Sequence, residues 1–479
     1  MERRSVPPTS EILARGHAPT MNVLHAIGWF FPESLGGTEV YVASLATRLA
    51  AAGHSTAVVA PLAGAEAPQE YAYRGIPVFR YPIPAALTRD EAQGRTRVRG
   101  AEHFDEIVRN LRPDIVHFHT FLAGLGIDEV RVAGRSAAGV VATNHLASLG
   151  FVCQRGTLMR WGNTPCDGIC RPLKCASCEL QHRGMPRPLA EVVGLLGFAF
   201  RGSAGIVPRG SVATSLLMTD LICHNQRKQT ELLSLLDRFV LLNKRAVDMV
   251  VANGANPDKL LLNYLGTSHP DAQRKPPPEQ LPTTLPIRIG YVGRLTEIKG
   301  ILDLARAIRS LPRDLPFSVE LYGPIADGES AAIVRRLREI AGADPRLCIQ
   351  GPLENDDVPR EMAAFDVLCV PSIWFENGPT VVSEAHAVGT PVIGTTIGAM
   401  PELIRHGVDG LLLEPGDWRS LAGAVRRMVE DPAGTIDLWR RHVPIPRNMD
   451  QITDDYVAMY RQLLAEKTAG QAAVSTAVA

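Results

Sequence analysis

The chain has 479 residues, enough for two domains with separate cores, and 46% hydrophobic against 21% charged residues is the balance of an ordinary soluble globular protein. Fifty basic and fifty acidic residues give a formal net charge of zero, which argues against broad binding to nucleic acid. No apolar run reaches the ~18 residues of a membrane-spanning helix, and the start Met1-Glu2-Arg3-Arg4 lacks the apolar core of a signal peptide, so a cytoplasmic protein is expected.

Residues 1–20 read as a loose tail. From Met21 to about residue 270 strands alternate with helices: 22–27, 55–60, 114–119 and 140–145 are the clearest strands, with helices after Gly37 and near 103–111, the pattern of a parallel sheet. Gly36 and Gly37 join the first strand to the first helix and would let a backbone approach a ligand closely; alone, they are as well explained by a tight turn. His119 and His145 end strands on the edge where ligands of such sheets bind, although a histidine there is more often structural; His117 shares a strand side with His119.

Five of the eight cysteines crowd into an insertion over 151–185: Cys153, Cys166, Cys170, Cys175 and Cys178. Without a signal peptide a disulfide framework is not expected, and a Cys-x-x-Cys pair with further thiols nearby suits a structural zinc held by Cys153, Cys166, Cys175 and Cys178, with Cys170 spare. Reduced free thiols are the alternative. Cys223, Cys348 and Cys369 read as core residues. The apolar stretch 192–200 is either an ordinary buried helix or, with the basic insertion, a peripheral contact at the inner face of a membrane.

A polar, proline-rich segment over 271–286 reads as a connector rather than a packed element. A second α/β domain is expected over 287–440. Its first strand, 287–292, leads into Gly293-Arg294 and Lys299-Gly300, two cations in a glycine-bounded turn at the carboxyl end of a strand. Arg294 offers a planar fork for phosphate oxygens and Lys299 a point charge. Further on, a strand over 366–371 gives way to Trp374-Phe-Glu-Asn-Gly-Pro379 and a helix from Pro379 to Val388, stopped by Gly389. Glu376 precedes that helix and Glu384 lies within it; the free N–H groups of Thr380, Val381 and Val382 would form a diphosphate site. A pair of glutamates on a solvated helix face is the plainer reading of that spacing.

Taken together, the Gly293-Arg294…Lys299-Gly300 turn, the Glu376/Glu384 pair and Gly394-Thr-Thr-Ile-Gly398-Ala-Met-Pro-Glu402 resemble the retaining glycosyltransferases of family four (glycosyl transferases group 1), in a subgroup with a Cys-rich insertion. The resemblance implies the GT-B fold: two Rossmann-like α/β domains whose parallel sheets face an interdomain cleft, with a helix at 441–467 crossing back to the N-terminal domain and a loose tail at 468–479. It also implies that Arg294 and Lys299 bind the donor diphosphate, that Glu376 contacts the transferred sugar, and that Glu384 binds the nucleotide ribose. By the same resemblance Asn377, Gly378, Pro379, Thr380 and Val381 line the donor loop, Gly36 and Gly37 lie across the cleft from Arg294, and His145 faces the reacting sugar. The chain departs from many relatives in placing Gly378 two residues after Glu376 and Pro379 three after it. No Asp-x-Asp triplet occurs to hold a divalent cation, so no catalytic cofactor is expected. The expectation is transfer of a hexosyl group from a UDP- or GDP-sugar to a glycan or lipid-linked acceptor in polysaccharide or glycoconjugate synthesis. A nucleotide-sugar epimerase and a catalytically silent binding module are the alternatives on the same scaffold.

Overall fold

The computed structural model describes residues 20–33, 36–122, 124–145, 153–199, 211–267, 269, 272–325 and 328–478. The chain divides into two compact units, one of Met1–Gly162, Cys166–Asn263 and Asp450–Ala479, the other of Asn163–Pro165 and Tyr264–Met449. The division falls a few residues before the position expected from composition. The N-terminal tail lies outside the described residues.

The first unit is built on strands β1 (Asn22–Ala26), β2 (Ser55–Ala63), β3 (Gln69–Tyr73), β4 (Ile76–Ile83), β5 (Ile115–Phe118), β6 (Gly139–Thr143), β7 (Arg238–Leu241) and β8 (Leu260–Leu262), in the order β8-β7-β6-β5-β1-β2-β4-β3. Every pair is parallel except β3 with β4. The central strands are covered on both faces, which is why they read as continuous apolar runs. Helix α1 (Gly37–Ala51) starts on an extended Gly36 and buries Tyr41, Val42, Leu45 and Leu49. The Cys-rich insertion carries α2 (Pro172–His182), which with the following α3 (Arg187–Ala199) packs against α4 (Met218–Leu235) around a small core of Ala176, Leu180, Ala190, Met218 and Ile222.

The second unit has β9 (Ile287–Val292), β10 (Phe317–Tyr322), β11 (Leu347–Ile349), β12 (Val367–Cys369), β13 (Val392–Thr395) and β14 (Gly410–Leu413), parallel throughout in the order β11-β10-β9-β12-β13-β14. Helix α5 (Ile301–Ser310) buries Ile301, Leu304, Ala305 and Ile308, the face its spacing predicts, and α6 (Thr380–Ala387) follows β12. The proline-rich stretch after residue 271 is not a free connector. The Arg274 guanidinium donates to His386 O at 2.7 Å, and Lys275 N–H to Val388 O at 2.9 Å. The His386 carbonyl already accepts from Gly389 N–H at 3.0 Å, so the segment adds a second donor there and supplies one to the Val388 carbonyl just past α6.

Helix α7 (Met449–Val478) is longer than expected, taking in the small-residue stretch read as a loose tail; its alanines continue a helix readily. Its Tyr456 and Tyr460 are buried in the first unit. Of the three cysteines read as core, Cys369 is buried, whereas Cys348 sits on the sheet-edge strand β11 and Cys223 on α4, both half-exposed.

Candidate active site

In the second unit, β9 ends in a turn whose course is fixed by backbone contact. Gly300 has φ 72°, and a Cβ there would stand 1.8 Å from the carbonyl oxygen of Pro371, in the loop after β12. Only glycine permits that approach. The crossing brings Lys299 to Glu376, and its ammonium donates to Oε1 at 2.6 Å. The same oxygen accepts from Ser372 Oγ at 2.6 Å and Trp374 Nε1 at 2.9 Å. Glu376 is therefore a buried carboxylate held by three donors. Its backbone is clamped as well. Ala399 N–H donates to Glu376 O at 2.7 Å, and a Cβ on Gly398, at φ 70°, would lie 2.3 Å from that oxygen. The Gly394–Glu402 motif thus acts through the position of Glu376.

Lys299, expected at the donor diphosphate, here lies against the Glu376 carboxylate: a buried carboxylate needs a counter-charge, and the turn delivers one. Arg294 is exposed and, among the described residues, makes no ion pair; Tyr291 Oη donates to its carbonyl at 2.7 Å and so fixes the turn. Helix α6 begins at Thr380 after an extended Pro379, as the sequence predicts. One amide is not available, because Val382 N–H bonds back to Pro379 O at 3.1 Å. Asn377 is buried, Gly378 half-buried. Glu384 lies on the second turn of α6, where burial pushes its carboxyl up to about 7.

In the first unit four histidines gather at the strand ends. His25 Nδ1 faces His119 Nε2 at 3.0 Å, and His119 Nδ1 faces His145 Nε2 at 3.2 Å. His117, paired with His25 across β1 and β5, is committed on both nitrogens, to Thr143 Oγ1 at 2.7 Å and Tyr460 Oη at 2.6 Å. Tyr456 Oη links Thr143 to Tyr41 at 2.9 and 3.1 Å. Burial holds all four imidazoles well below their ordinary range, His25 and His145 at about 3, so they are neutral near pH 7.

Neutrality gives the relay a direction. Each ring–ring contact needs one N–H and one lone pair, so His25, His119 and His145 all point their protons the same way. His25 Nε2 is buried without a partner; a bare lone pair there costs less than a bare N–H, which places the His25 proton on Nδ1. It follows that His145 accepts at Nε2 and carries its proton on Nδ1, as a hydrogen-bond donor. His25, Tyr41, Tyr456 and Tyr460 escape sequence reasoning because nothing local links them to His145. Gly36 caps α1, beside the buried Glu39 carboxylate, and Gly37 opens the helix.

The cysteine insertion contains N–H bonds to sulfur. Trp161 N–H reaches Cys178 Sγ and Arg171 N–H reaches Cys175 Sγ, each at 3.4 Å. Cys170, read as spare, donates its backbone N–H to Asn253 Oδ1 at 2.9 Å. Among the described residues the trio of metal-binding side chains with ligand atoms within 4.8 Å of one another is His25, His117 and His119, not a set of cysteines. With His117 already bonded at both nitrogens, that trio reads as part of the hydrogen-bond network. A cavity of about 300 Å³ also lies in this unit, with Phe121, Gln154, Asn225 and Lys228 in its walls.

Residues 273–442 match the sequence model of the glycosyl transferases group 1, and residues 36–179 that of a glycosyl transferase 4-like domain. The chain belongs to the GT4-type glycosyl transferases. It is 36% identical over 148 residues to a 2-deoxystreptamine glucosyltransferase of Streptomyces kanamyceticus, covering 30% of this chain and 37% of that protein. Over 217 residues it is 29% identical to a D-inositol 3-phosphate glycosyltransferase of a Nocardioides species, covering 39% and 47%. The matches thus span less than half the length of these two relatives. Among solved structures, sucrose-phosphate synthase from Thermosynechococcus elongatus aligns over 93% of this chain and all of its own with TM-score 0.63 at 18% identity. HepE of Anabaena, in complex with UDP and glucose, aligns over 94% and 100% with TM-score 0.57 at 16% identity. The two parallel-sheet units are those of the GT-B fold.

Proposed function

We propose that the chain transfers a hexosyl group from a UDP- or GDP-sugar to a hydroxyl of a glycan or lipid-linked acceptor, with retention of anomeric configuration. The observation that carries this reading is the Glu376 carboxylate, held by Lys299, Ser372 and Trp374 in the unit that matches the glycosyl transferases group 1. In the proposed step the acceptor oxygen bonds to the anomeric carbon on the face from which the diphosphate departs. The bond from that carbon to the diphosphate oxygen breaks, and the acceptor proton passes to a phosphate oxygen. Glu376 stabilises the positive charge that develops on the sugar, and Arg294 and the first amides of α6 stabilise the leaving diphosphate without a divalent cation. Glu384 accepts from the ribose hydroxyls, and the Nδ1–H of His145 donates to a sugar hydroxyl. The hydroxyl-rich rings in the names of the two relatives, 2-deoxystreptamine and inositol 3-phosphate, suit the polar side chains Gln154, Asn225 and Lys228 around the first unit's cavity as an acceptor site.

The test is release of nucleoside diphosphate from UDP-, GDP-, ADP- and dTDP-sugars in chelator, with and without a glycan and lipid extract. Release from one donor, increased by the extract, supports the transferase. Conversion of a donor alone into a second nucleotide sugar would identify an epimerase, and binding without conversion a silent module. Arg294→Ala is expected to lower kcat/KM about 10- to 100-fold by removing a charged phosphate contact. Normal kinetics in that variant would take Arg294 out of the site.

We assign Cys153, Cys166, Cys175 and Cys178 a structural zinc on their crowding into one insertion; burial pushes the Cys153 and Cys166 thiols up, and a bound cation would supply the charge that favours their thiolates. Elemental analysis of the purified chain is expected to give one zinc, lost with a fall in Tm on strong chelation. A metal-free protein of unchanged Tm would leave the thiols reduced and unligated.

A further inference from the structure

We propose that α3 and its basic flank form a docking face for an anionic lipid bilayer, independently of how the donor site is read. The orientation of α3 is locked by its small residues. Ala190 is buried, Thr219 Oγ1 donates to Gly194 O at 2.8 Å, and a Cβ on Gly194 would stand 2.6 Å from Ser177 Oγ, one on Gly197 2.5 Å from Leu216 O. Only glycine allows the helix to lie this close to its neighbours, so it cannot be turned about its axis.

What that orientation leaves outward is apolar. Leu189 is 51% exposed, Val192 55%, Leu195 64%, Leu196 53% and Phe198 40%. A helix on the surface of a water-soluble protein turns its polar side out; here the small residues face in and the large apolar ones out. Over its described part, 192–198, the stretch is therefore not the ordinary buried helix that composition allows.

Charge selects the partner. Between residues 153 and 199 there are six basic side chains (Arg155, Arg160, Arg171, Lys174, Arg183, Arg187) against three acidic ones (Asp167, Glu179, Glu191), in a chain whose total balances to zero. Arg187, at the start of α3, lies 4.7 Å from the centroid of the Trp161 ring, and Arg160 lies 5.8 Å from it. Glu191, paired with Arg187 at 3.2 Å, is the acidic group on the outer side of α3. Arginines beside an exposed row of Leu, Val and Phe are the chemistry of the zone between lipid headgroups and acyl chains. Beyond α3 the sequence continues Phe200-Arg201 and Ile206-Val207-Pro208-Arg209, outside the described residues but of the same character. At about 20 Å, a helix of this length is too short to span a bilayer, and among the described residues no helix is long and apolar enough to cross one. It would lie in the plane of the surface.

The experiment is co-sedimentation of the full chain with vesicles of phosphatidylcholine alone or with about 30% phosphatidylglycerol, at low salt and at about 0.5 M salt. At least tenfold more protein is expected in the anionic pellet at low salt, roughly, with the excess lost at high salt. The double variant L195E/L196E should lose about tenfold of the binding with unchanged Tm and nucleotide affinity, and R160A/R187A should lose the anionic preference alone. Absence of pelleting with anionic vesicles, or pelleting that L195E/L196E does not reduce, overturns the proposal. So does a wild-type dimer that L195E/L196E converts to a monomer with no vesicle binding, which would give the face to a second copy.

Discussion

Glu376→Gln is expected to lower turnover by about 100- to 1000-fold while the dissociation constant of the nucleoside diphosphate stays within about threefold. The amide nearly matches the carboxylate in shape, and its oxygen can still accept from Ser372 and Trp374, which donate to Oε1 at 2.6 and 2.9 Å. What it lacks is charge. In the proposed transition state the sugar becomes cationic, and a fixed carboxylate stabilises it at no cost in reorganisation, because its donors already hold it in place. In the variant the Lys299 ammonium, 2.6 Å from Oε1, loses its counter-charge. It is then free to turn toward phosphate, so diphosphate affinity should hold or rise. Steady-state kinetics with the preferred donor and calorimetric binding of the diphosphate check both halves. Equal losses in turnover and affinity would mean that Glu376 only shapes the donor loop.

Much of this site was legible because its signals are local. The strand over 287–292, the helix beginning after Pro379 and the stop at Gly389 lie where apolar runs and proline and glycine chemistry put them. The glycines at 300 and 398 hold the loops through backbone approaches that no other residue tolerates. The pairing of Lys299 with Glu376 was not legible, because it follows from how two loops 77 residues apart cross. For the same reason the histidine relay was half visible: His119 and His145 mark strand ends, but His25 and the tyrosines of α7 join them only through sheet order and the returning helix. The proline-rich segment misled because proline content reports the lack of regular structure, not the lack of contacts. Its Arg274 and Lys275 supply hydrogen bonds to the end of α6. On α3, composition favoured the ordinary buried helix as the commoner case, and the exposed face follows from which neighbours its glycines meet.

Glu384→Ala is expected to weaken nucleotide binding about 100-fold at pH 8, the loss of two hydrogen bonds to a charged acceptor, and much less at pH 6. The difference follows from burial, which holds the wild-type carboxyl at about 7, so that at pH 6 it is largely protonated before any nucleotide arrives. Ribose hydroxyls favour the ionised form, and wild-type affinity should therefore rise with pH through 7, by up to about tenfold per unit below it, and level off near 8. Glu384→Gln should bind weakly with no such slope. The same shift sets the sign for stability. A folded-state value of about 7 against an ordinary 4.5 means that between these values the folded chain holds a proton that the unfolded chain has released, so the contribution of Glu384 to stability falls as pH rises. Above pH 7 the full cost of the desolvated carboxylate is present, at most about 3 kcal/mol and less because the side chain keeps some solvent contact. Glu384→Gln should accordingly raise Tm at pH 8, with the two proteins converging toward pH 4.5. A residue that destabilises the empty fold while strengthening nucleotide binding is kept for the ligand. Parallel pH profiles of affinity in wild type and Glu384→Gln would remove Glu384 from the nucleotide site.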